Sequence, residues 1–77
     1  MPKYLVRIED MSTALVVVEA ESNRSAREKV EPYAQFALEH LSERPFIMEA
    51  FDLHRGDDTE GAWTLSELKR MKRNENK

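Results

Sequence analysis

Two short segments near the N-terminus constrain the fold more than any other feature of this chain. In Tyr4–Glu9, apolar side chains recur at every second position, which is the spacing of a strand that buries one face. Ala14–Ala20 is rich in β-branched residues and follows the turn-type residues 10–13. The pattern predicts an antiparallel β-hairpin.

One face of this hairpin is predicted to lie in the core. That face takes the side chains at alternating positions of the two strands: Tyr4, Val6, Ile8, Val16, Val18 and Ala20. Leu15 and Val17 then point to the second face, which makes that face unusually apolar. We expect either a helix or another molecule to cover it.

A helix is predicted to follow the hairpin and to begin within residues 22–26. Ser22 can accept hydrogen bonds from the free backbone N–H groups of a first helical turn. The apolar positions recur with the spacing of one helix face: Ala26, Val30, Tyr33, Ala34, Ala37, Leu38 and Leu41. Pro32 lacks a backbone N–H group, so we expect a kink or a short break there, and Pro45 stops the helix.

Residues 46–54 predict a third strand that adds to the hairpin. Its side chains alternate, with Ile47, Phe51 and Leu53 on one side and Met48, Ala50, Asp52 and His54 on the other. Residues 55–61 are acidic and contain glycine at two positions, which is typical of an exposed loop.

The clearest local signal is a helix start at Leu65. Thr64 and Glu67 have the spacing of a capping box, in which each side chain accepts a hydrogen bond from the other residue's backbone N–H group. Trp63 and Leu68 have the spacing of a hydrophobic staple. The apolar stripe of this helix consists of Leu65, Leu68 and Met71.

The element order is therefore β, β, α, β, α, and the predicted fold class is α+β. A three-stranded, mainly antiparallel sheet packs on a long kinked helix, and a short helix follows at the C-terminal end. A chain of 77 residues leaves room for one hydrophobic core. We expect a single domain over residues 1–73 and a frayed tail over residues 74–77.

The first part of the chain resembles a family of small domains. The resemblance is carried by the strand Tyr4–Glu9, the segment Val16–Ser22, and Ala26 and Val30 in the following helix. These residues are similar to the opening of the DpnD/PcfM-like domains found on phages, plasmids and other mobile elements. The resemblance covers residues 4–30. It implies the same ββα start and an accessory role on a mobile element, and it assigns no functional residue.

Composition excludes several kinds of protein. The chain contains no cysteine, so disulfides, thiolate metal sites and cysteine nucleophiles are excluded. Its longest apolar run, Ala14–Val18, is far shorter than the roughly 20 residues that a membrane-spanning helix needs. The first residues lack the basic and apolar regions of a signal peptide. We therefore expect a cytoplasmic protein with no membrane partner.

The sequence contains no catalytic or metal-binding motif. Neither histidine, His40 or His54, lies at a motif spacing from a nucleophile or from a full set of metal ligands. Asp52 and His54 share one strand face, but two ligands without a third do not predict a metal site. We expect no enzymatic activity, no metal and no cofactor.

Charge is distributed unevenly along the chain. Residues 1–68 contain 7 basic and 14 acidic side chains, whereas residues 69–77 contain 5 basic and 1 acidic. An acidic body repels nucleic acid and membrane phosphates, and a short cationic end attracts acidic surfaces. Two functional hypotheses follow from this layout.

The first hypothesis is a protein-binding module, such as an inhibitor or adaptor from a phage or mobile element that binds a host protein complex. Its predicted contact residues come from the apolar second face, the acidic loop and the tryptophan: Leu15, Val17, Asp57, Asp58, Glu60 and Trp63. In the alternative, Trp63 only staples the helix, and Leu15 and Val17 pack beneath it. A homodimer is a further hypothesis, because strand edges and apolar sheet faces favour self-association.

Two other interpretations involve nucleic acid. In one, the protein imitates nucleic acid by presenting acidic side chains to a basic groove: Glu28, Glu31, Glu39, Glu43, Asp57 and Asp58. In the second hypothesis, the C-terminal helix binds nucleic acid through phosphate contacts from Lys69, Arg70, Lys72 and Arg73. The sequence pI of about 5.4 makes nucleic acid the less favoured partner.

Overall fold

The described residues form a mixed four-stranded sheet with helices packed on one of its faces. The structure is a computed structural model that describes residues 2–38, 45–54, 56–57 and 59–75. In chain order the elements are β1 (Lys3–Glu9), β2 (Thr13–Glu19), α1 (Asn23–Val30), a 3-10 turn (Glu31–Tyr33), α2 (Ala34–Ala37), β3 (Ile47–Asp52), β4 (Trp63–Thr64) and α3 (Leu65–Glu75). The strands lie in the order β3-β1-β2-β4. The α+β fold class is confirmed.

The predicted hairpin is confirmed as the centre of the sheet. β1 and β2 pair antiparallel, and the register places Val6 opposite Val16 and Ile8 opposite Ala14. The side chains at these positions are buried, as are Tyr4, Val18 and Ala20. The two-residue alternation thus identified the core face of both strands.

The predicted third strand is also confirmed, and it lies beside β1. β3 pairs antiparallel with β1, with Ala50 opposite Val6 and Met48 opposite Ile8. Residues directly opposite each other in a sheet share a face, so Met48 and Ala50 lie on the core side. Phe51, one position along, lies on the other side.

The prediction of only three strands in the order ββαβα is wrong. β4 is a two-residue strand that pairs in parallel with β2, with Trp63 opposite Val16 and Thr64 opposite Val17. The sequence signal at these positions belongs to the start of α3, and two residues carry no periodicity of their own. β4 pairs with the outer edge of β2 because the half-buried Trp63 packs against the core at that edge.

The prediction of one long kinked helix is also wrong, although the predicted break at Pro32 is present. α1 begins at Asn23, and the Ser22 hydroxyl accepts a hydrogen bond from the Ser25 N–H group at 3.1 Å, as a helix cap does. The helix ends at Val30, and Pro32 lies in a 3-10 turn that leads into the short α2. A proline ring clashes with the carbonyl four residues earlier, so the α-helical hydrogen bonds do not continue through it. The predicted helical positions Glu39, His40, Leu41 and Glu43 lie outside the described residues.

The core lies between the sheet and the helices. The buried helical side chains are Ala26, Val30, Ala34, Ala37, Leu38 and Leu68, and they join the buried residues of β1 and β2 in one cluster. Half-buried side chains that pack against this cluster come from the helices, from β4 and from the core side of β3. All the helices described therefore cover the same face of the sheet.

The predicted capping box at the start of α3 is confirmed. The Thr64 N–H group donates to Glu67 Oε1 at 3.0 Å, and the Glu67 N–H group donates to Thr64 Oγ1 at 3.3 Å. Leu68 is completely buried, which anchors the first turns of the helix. The helix continues through Glu75, two positions past the predicted end at Arg73, and residues 76–77 lie outside the described part of the chain.

No helix in the described ranges is long and apolar enough to cross a membrane.

Candidate functional site

The face of the sheet opposite the helices is the candidate site, and we call it the open face. Its side chains alternate with the buried ones along each strand and are matched across strands by the register. The open face consists of Lys3, Leu5, Arg7 and Glu9 from β1, Thr13, Leu15, Val17 and Glu19 from β2, Ile47, Glu49 and Phe51 from β3, and Thr64 from β4.

An apolar row crosses the open face from one strand to the next. Leu5 on the central strand lies opposite Phe51 on one side and opposite Val17 on the other. The Phe51 side chain remains 43% exposed, and Leu5 and Val17 are half-buried by their neighbours. Ile47, on the same strand and face as Phe51, is 65% exposed. Large apolar side chains are therefore accessible on a face that no described helix covers.

Arg7 occupies the middle of the open face, beside this row. Its Nε atom lies 2.8 Å from Glu9 Oε1, and its Nη2 atom lies 3.8 Å from Glu49 Oε2. The guanidinium carbon is also 5.7 Å from the centroid of the Phe51 ring. These partners come from β1 and β3 and hold the guanidinium along the sheet surface, where its side chain remains 42% exposed. Arginine and aromatic side chains are enriched among the residues that dominate the energy of protein interfaces.

The six predicted contact residues do not form one surface. Leu15 and Val17 lie on the open face, whereas Trp63 lies on the core side of β4, since it is opposite the buried Val16. Trp63 packs against the cluster that contains Leu68, which is the arrangement expected of a helix staple. Val17 does not pack beneath Trp63, because the two side chains lie on opposite faces of the sheet. Leu15 and Trp63 line the same cavity.

Three of those six residues instead meet at a shallow cavity of about 420 Å³ at one end of β2. Leu15, Glu60 and Trp63 line it, together with Ser12–Ala14, Ala37, Leu38 and Gly61. The cavity lies between the turn of the β1–β2 hairpin and the loop that precedes β4. In the described part of the chain, no three His, Cys, Asp or Glu side chains are grouped as metal ligands would be, here or elsewhere.

Asp57 has a local structural role. Its Oδ2 atom accepts a hydrogen bond from the His54 N–H group at 2.7 Å, and its own N–H group donates to the His54 carbonyl at 3.1 Å. Gly56 between them has a φ of +95°, a conformation that glycine adopts without strain. Asp57 therefore closes the turn after β3. Asp58 lies outside the described residues.

Of the four basic residues predicted to contact nucleic acid, one is half-buried and three are exposed. The Lys72 ammonium lies 5.3 Å from the centroid of the Tyr33 ring, and its side chain is half-buried there. Lys69, Arg70 and Arg73 are exposed. Arg73 follows Lys69 by four residues and Arg70 by three, so it neighbours both of them on one side of the helix. Three cations, and not four, thus form an exposed basic side of α3.

The acidic side chains considered as a nucleic acid mimic are only partly described. Glu28 and Glu31 are exposed at the end of α1, and Glu28 Oε1 accepts a hydrogen bond from Arg24 Nε at 3.1 Å. Arg24 and Arg27 lie beside them in the same groove. Glu39 and Glu43 lie outside the described residues. The described part of this surface therefore carries both signs of charge.

Sequence reasoning missed four open-face residues, which are Leu5, Arg7, Ile47 and Phe51. The alternation placed Ile47 and Phe51 on one side of the third strand, but it did not say which side the helices would cover. Their placement depends on the pairing of β3 with β1, which matches the core side of β3 to the buried residues of β1 and which the sequence does not show.

No family model, curated protein or solved structure matches this chain.

Proposed function

We propose that this protein is a non-catalytic protein-binding module that contacts its partner through the open face. The observation that carries the proposal is the accessibility of Phe51 and Ile47 on a sheet face that lies away from the helices. Phe51 is contiguous with Leu5 and Val17, whereas Glu49 separates Ile47 from this row. Larger exposed apolar patches, especially those rimmed by polar residues, mark interaction sites on soluble proteins. Here the apolar side chains lie beside an oriented arginine, so the surface combines apolar and charged contacts.

The layout of the open face supports a particular kind of partner. The apolar row Phe51–Leu5–Val17 favours an apolar strip on the partner, because burial of that row supplies the main driving force. Arg7 is shared between Glu9 and Glu49, and Lys3 lies opposite Glu19 at the margin of the face. The open face therefore carries both signs of charge, and the partner is expected to present apolar side chains flanked by charged side chains of both signs.

The proposed role is that of an inhibitor or adaptor that works by occupying a surface of a host protein complex. One exposed sheet face with apolar and charged side chains is enough for such binding. The similarity of residues 4–30 to DpnD/PcfM-like domains supports an accessory role on a phage or other mobile element. Nucleic acid binding by Lys69, Arg70 and Arg73 on α3 remains the alternative proposal.

Affinity capture with matched baits tests the proposal. The baits are the unmodified chain, a Val17→Lys variant on the open face and a Met11→Lys variant in the hairpin turn. Met11 is 87% exposed and serves as the control for adding a lysine in place of an apolar side chain. We expect a protein retained in stoichiometric amount by the unmodified and Met11→Lys baits, and at least tenfold less by Val17→Lys.

Circular dichroism of each bait verifies that it is folded. Equal recovery with Val17→Lys, or no protein retained by any bait, contradicts the use of the open face. Recovery that disappears after nuclease treatment supports the alternative that α3 binds nucleic acid.

A further inference from the structure

The two edges of the sheet differ in how they are closed. Along the outer edge of β2, Val16 and Val17 pair with β4, and the Lys29 ammonium donates a hydrogen bond to the Glu19 carbonyl at 3.0 Å. These contacts occupy backbone groups that another strand would need. β3 forms the opposite edge, and within the described ranges no strand pairs with its outer side.

The register identifies the backbone groups that β3 presents outward. The Leu53 N–H group donates to the Lys3 carbonyl at 3.0 Å, and β3 pairs with β1 in the same register. In an antiparallel sheet, every second residue of a strand forms its backbone hydrogen bonds with the same neighbouring strand. Because Leu53 bonds to Lys3, the odd-numbered residues of β3 also bond to β1. The N–H and C=O groups of Met48, Ala50 and Asp52 therefore point away from the sheet, and none has a partner among the residues described.

The edge strand also carries accessible apolar side chains and has no lysine, proline or bulge to block it. Ile47 and Phe51 are two of the three large apolar side chains that are exposed in the described residues. Natural edge strands are commonly blocked by charged side chains, above all lysine, and by proline or a bulge. β3 carries two carboxylates, Glu49 and Asp52, but it contains neither lysine nor proline, and it pairs with β1 without interruption. This edge is suited to pairing with another strand.

We propose that β3 pairs antiparallel with β3 of a second copy of this chain, about a two-fold axis at Ala50, so that the two sheets become one. This proposal goes beyond the open-face function and does not depend on it. The edge mediates self-association, whereas the open face binds the partner and is extended across both copies.

The register centred on Ala50 is selected by two physical requirements. It places Met48 opposite Asp52 of the other copy and Ala50 opposite itself, so every outward N–H and C=O group of β3 finds a partner. It also places Glu49 opposite Phe51. A register centred on Glu49 would set two carboxylates directly opposite each other, which is destabilising.

The charges beside the edge favour a second copy over a strongly charged partner. A groove of about 310 Å³ runs between α1 and β3 and is lined by Phe46, Met48 and four charged side chains. These are Arg24, Arg27, Glu28 and Glu31, two of each sign. Across a two-fold axis, these four side chains face the same four side chains of the second copy. Arginine of one copy can then pair with glutamate of the other.

Sedimentation velocity over a concentration series tests the pairing. Three variants accompany the unmodified chain: Ala50→Pro, Ile47→Lys and the control Met11→Lys. Proline at position 50 removes an outward N–H group and no ladder bond to β1, and lysine at the exposed position 47 blocks the edge. We expect the unmodified chain and Met11→Lys to dimerise with rising concentration, and both β3 variants to weaken the dimer at least tenfold.

A cross-link tests the register, because the chain contains no native cysteine. Opposed residues in a hydrogen-bonded antiparallel pair have Cα atoms about 5.5 Å apart, which a disulfide can span. Oxidation should link two copies of Ala50→Cys covalently, whereas Met11→Cys should still dimerise but should form no cross-link across the β3 edge. A chain that stays monomeric at all concentrations, or a dimer unaffected by Ile47→Lys, overturns the proposal. If the unmodified chain dimerises but retains no protein partner, only the open-face function is contradicted.

Discussion

The guanidinium carbon of Arg7 lies 5.7 Å from the centroid of the Phe51 ring, on the neighbouring strand of the sheet. The two side chains are on the open face and both remain partly exposed. A cation over an aromatic ring at an exposed site contributes about 0.5–1 kcal/mol. The pair therefore adds little to folding, and its main effect is to orient two side chains of the kind that dominate binding energy.

The substitution Arg7→Ala should separate binding from stability. Exposed ion pairs contribute about 0–1 kcal/mol, so we expect the free energy of unfolding to fall by no more than about 1 kcal/mol. Partner capture should fall at least tenfold. Arg24→Ala is the control, because Arg24 forms an ion pair with Glu28 at 3.1 Å but lies away from the open face. Urea denaturation and quantitative capture measure the two effects, and equal capture by both variants would argue against a role for Arg7.

Leu68→Ala should destabilise the protein strongly. The Leu68 side chain is completely buried in the cluster between the sheet and the helices. Loss of a buried leucine side chain to alanine costs about 2–5 kcal/mol, through lost burial and the cavity that remains. The half-buried Leu65 on the same helix is the control, and Leu65→Ala should cost less than half as much. Urea unfolding followed by the fluorescence of the single tryptophan measures both, and similar costs would contradict the packing of α3.

The capping box should act as a unit. Thr64→Ala should lower the free energy of unfolding by about 1 kcal/mol, because it leaves the Glu67 N–H group without its acceptor. Since Thr64 and Glu67 bond to each other, Thr64→Ala combined with Glu67→Ala should cost less than the sum of the single variants. Ser66→Ala, an exposed position in the same turn, is the control. Strictly additive costs would show that the two side chains act separately.

Nucleic acid should bind weakly, if at all. With Lys72 over the Tyr33 ring, the exposed basic side of α3 has only Lys69, Arg70 and Arg73 to contact phosphates. Three phosphate contacts would give a salt slope of about −2.7 for duplex DNA, and the acidic body opposes approach. Fluorescence anisotropy with labelled duplex should show no binding above about 0.1 M salt. Tight binding with a steeper slope, lost on changing these three residues to glutamine, would favour the nucleic acid function.

Much of the fold could be predicted because its signals are local. The alternation in Tyr4–Glu9 reports which side chains share a strand face, and the bonds that Ser22 and Thr64 make lie within one helical turn. The break at Pro32 follows from the missing N–H group of one residue. Each of these features depends only on residues a few positions apart in the chain, so a short stretch of sequence includes every residue that takes part.

The candidate site was predicted less completely. Leu15 and Val17 were identified as open-face residues from the hairpin alone. Phe51 and Ile47 were assigned only to one side of their strand, and Trp63 was grouped with Val17 although the two lie on opposite faces of the sheet. Their placement depends on β3 pairing with β1 and on β4 pairing with β2, and neither pairing leaves a periodic signal in the sequence.

The sequence by itself determined the hairpin, the third strand, the start of α3, the caps at Ser22 and Thr64, and the side chains that share one face of each of the three longer strands. Only the tertiary structure decided that all the described helices lie on the same face, that Arg7 meets Phe51 and Glu49, and that no strand among the described residues pairs with the outer side of β3. The physical reason is the range of the interactions. Caps and alternation act within a few residues, whereas Val16 and Trp63 are far apart in the chain, and their strands pair only when the core that both side chains contact is assembled.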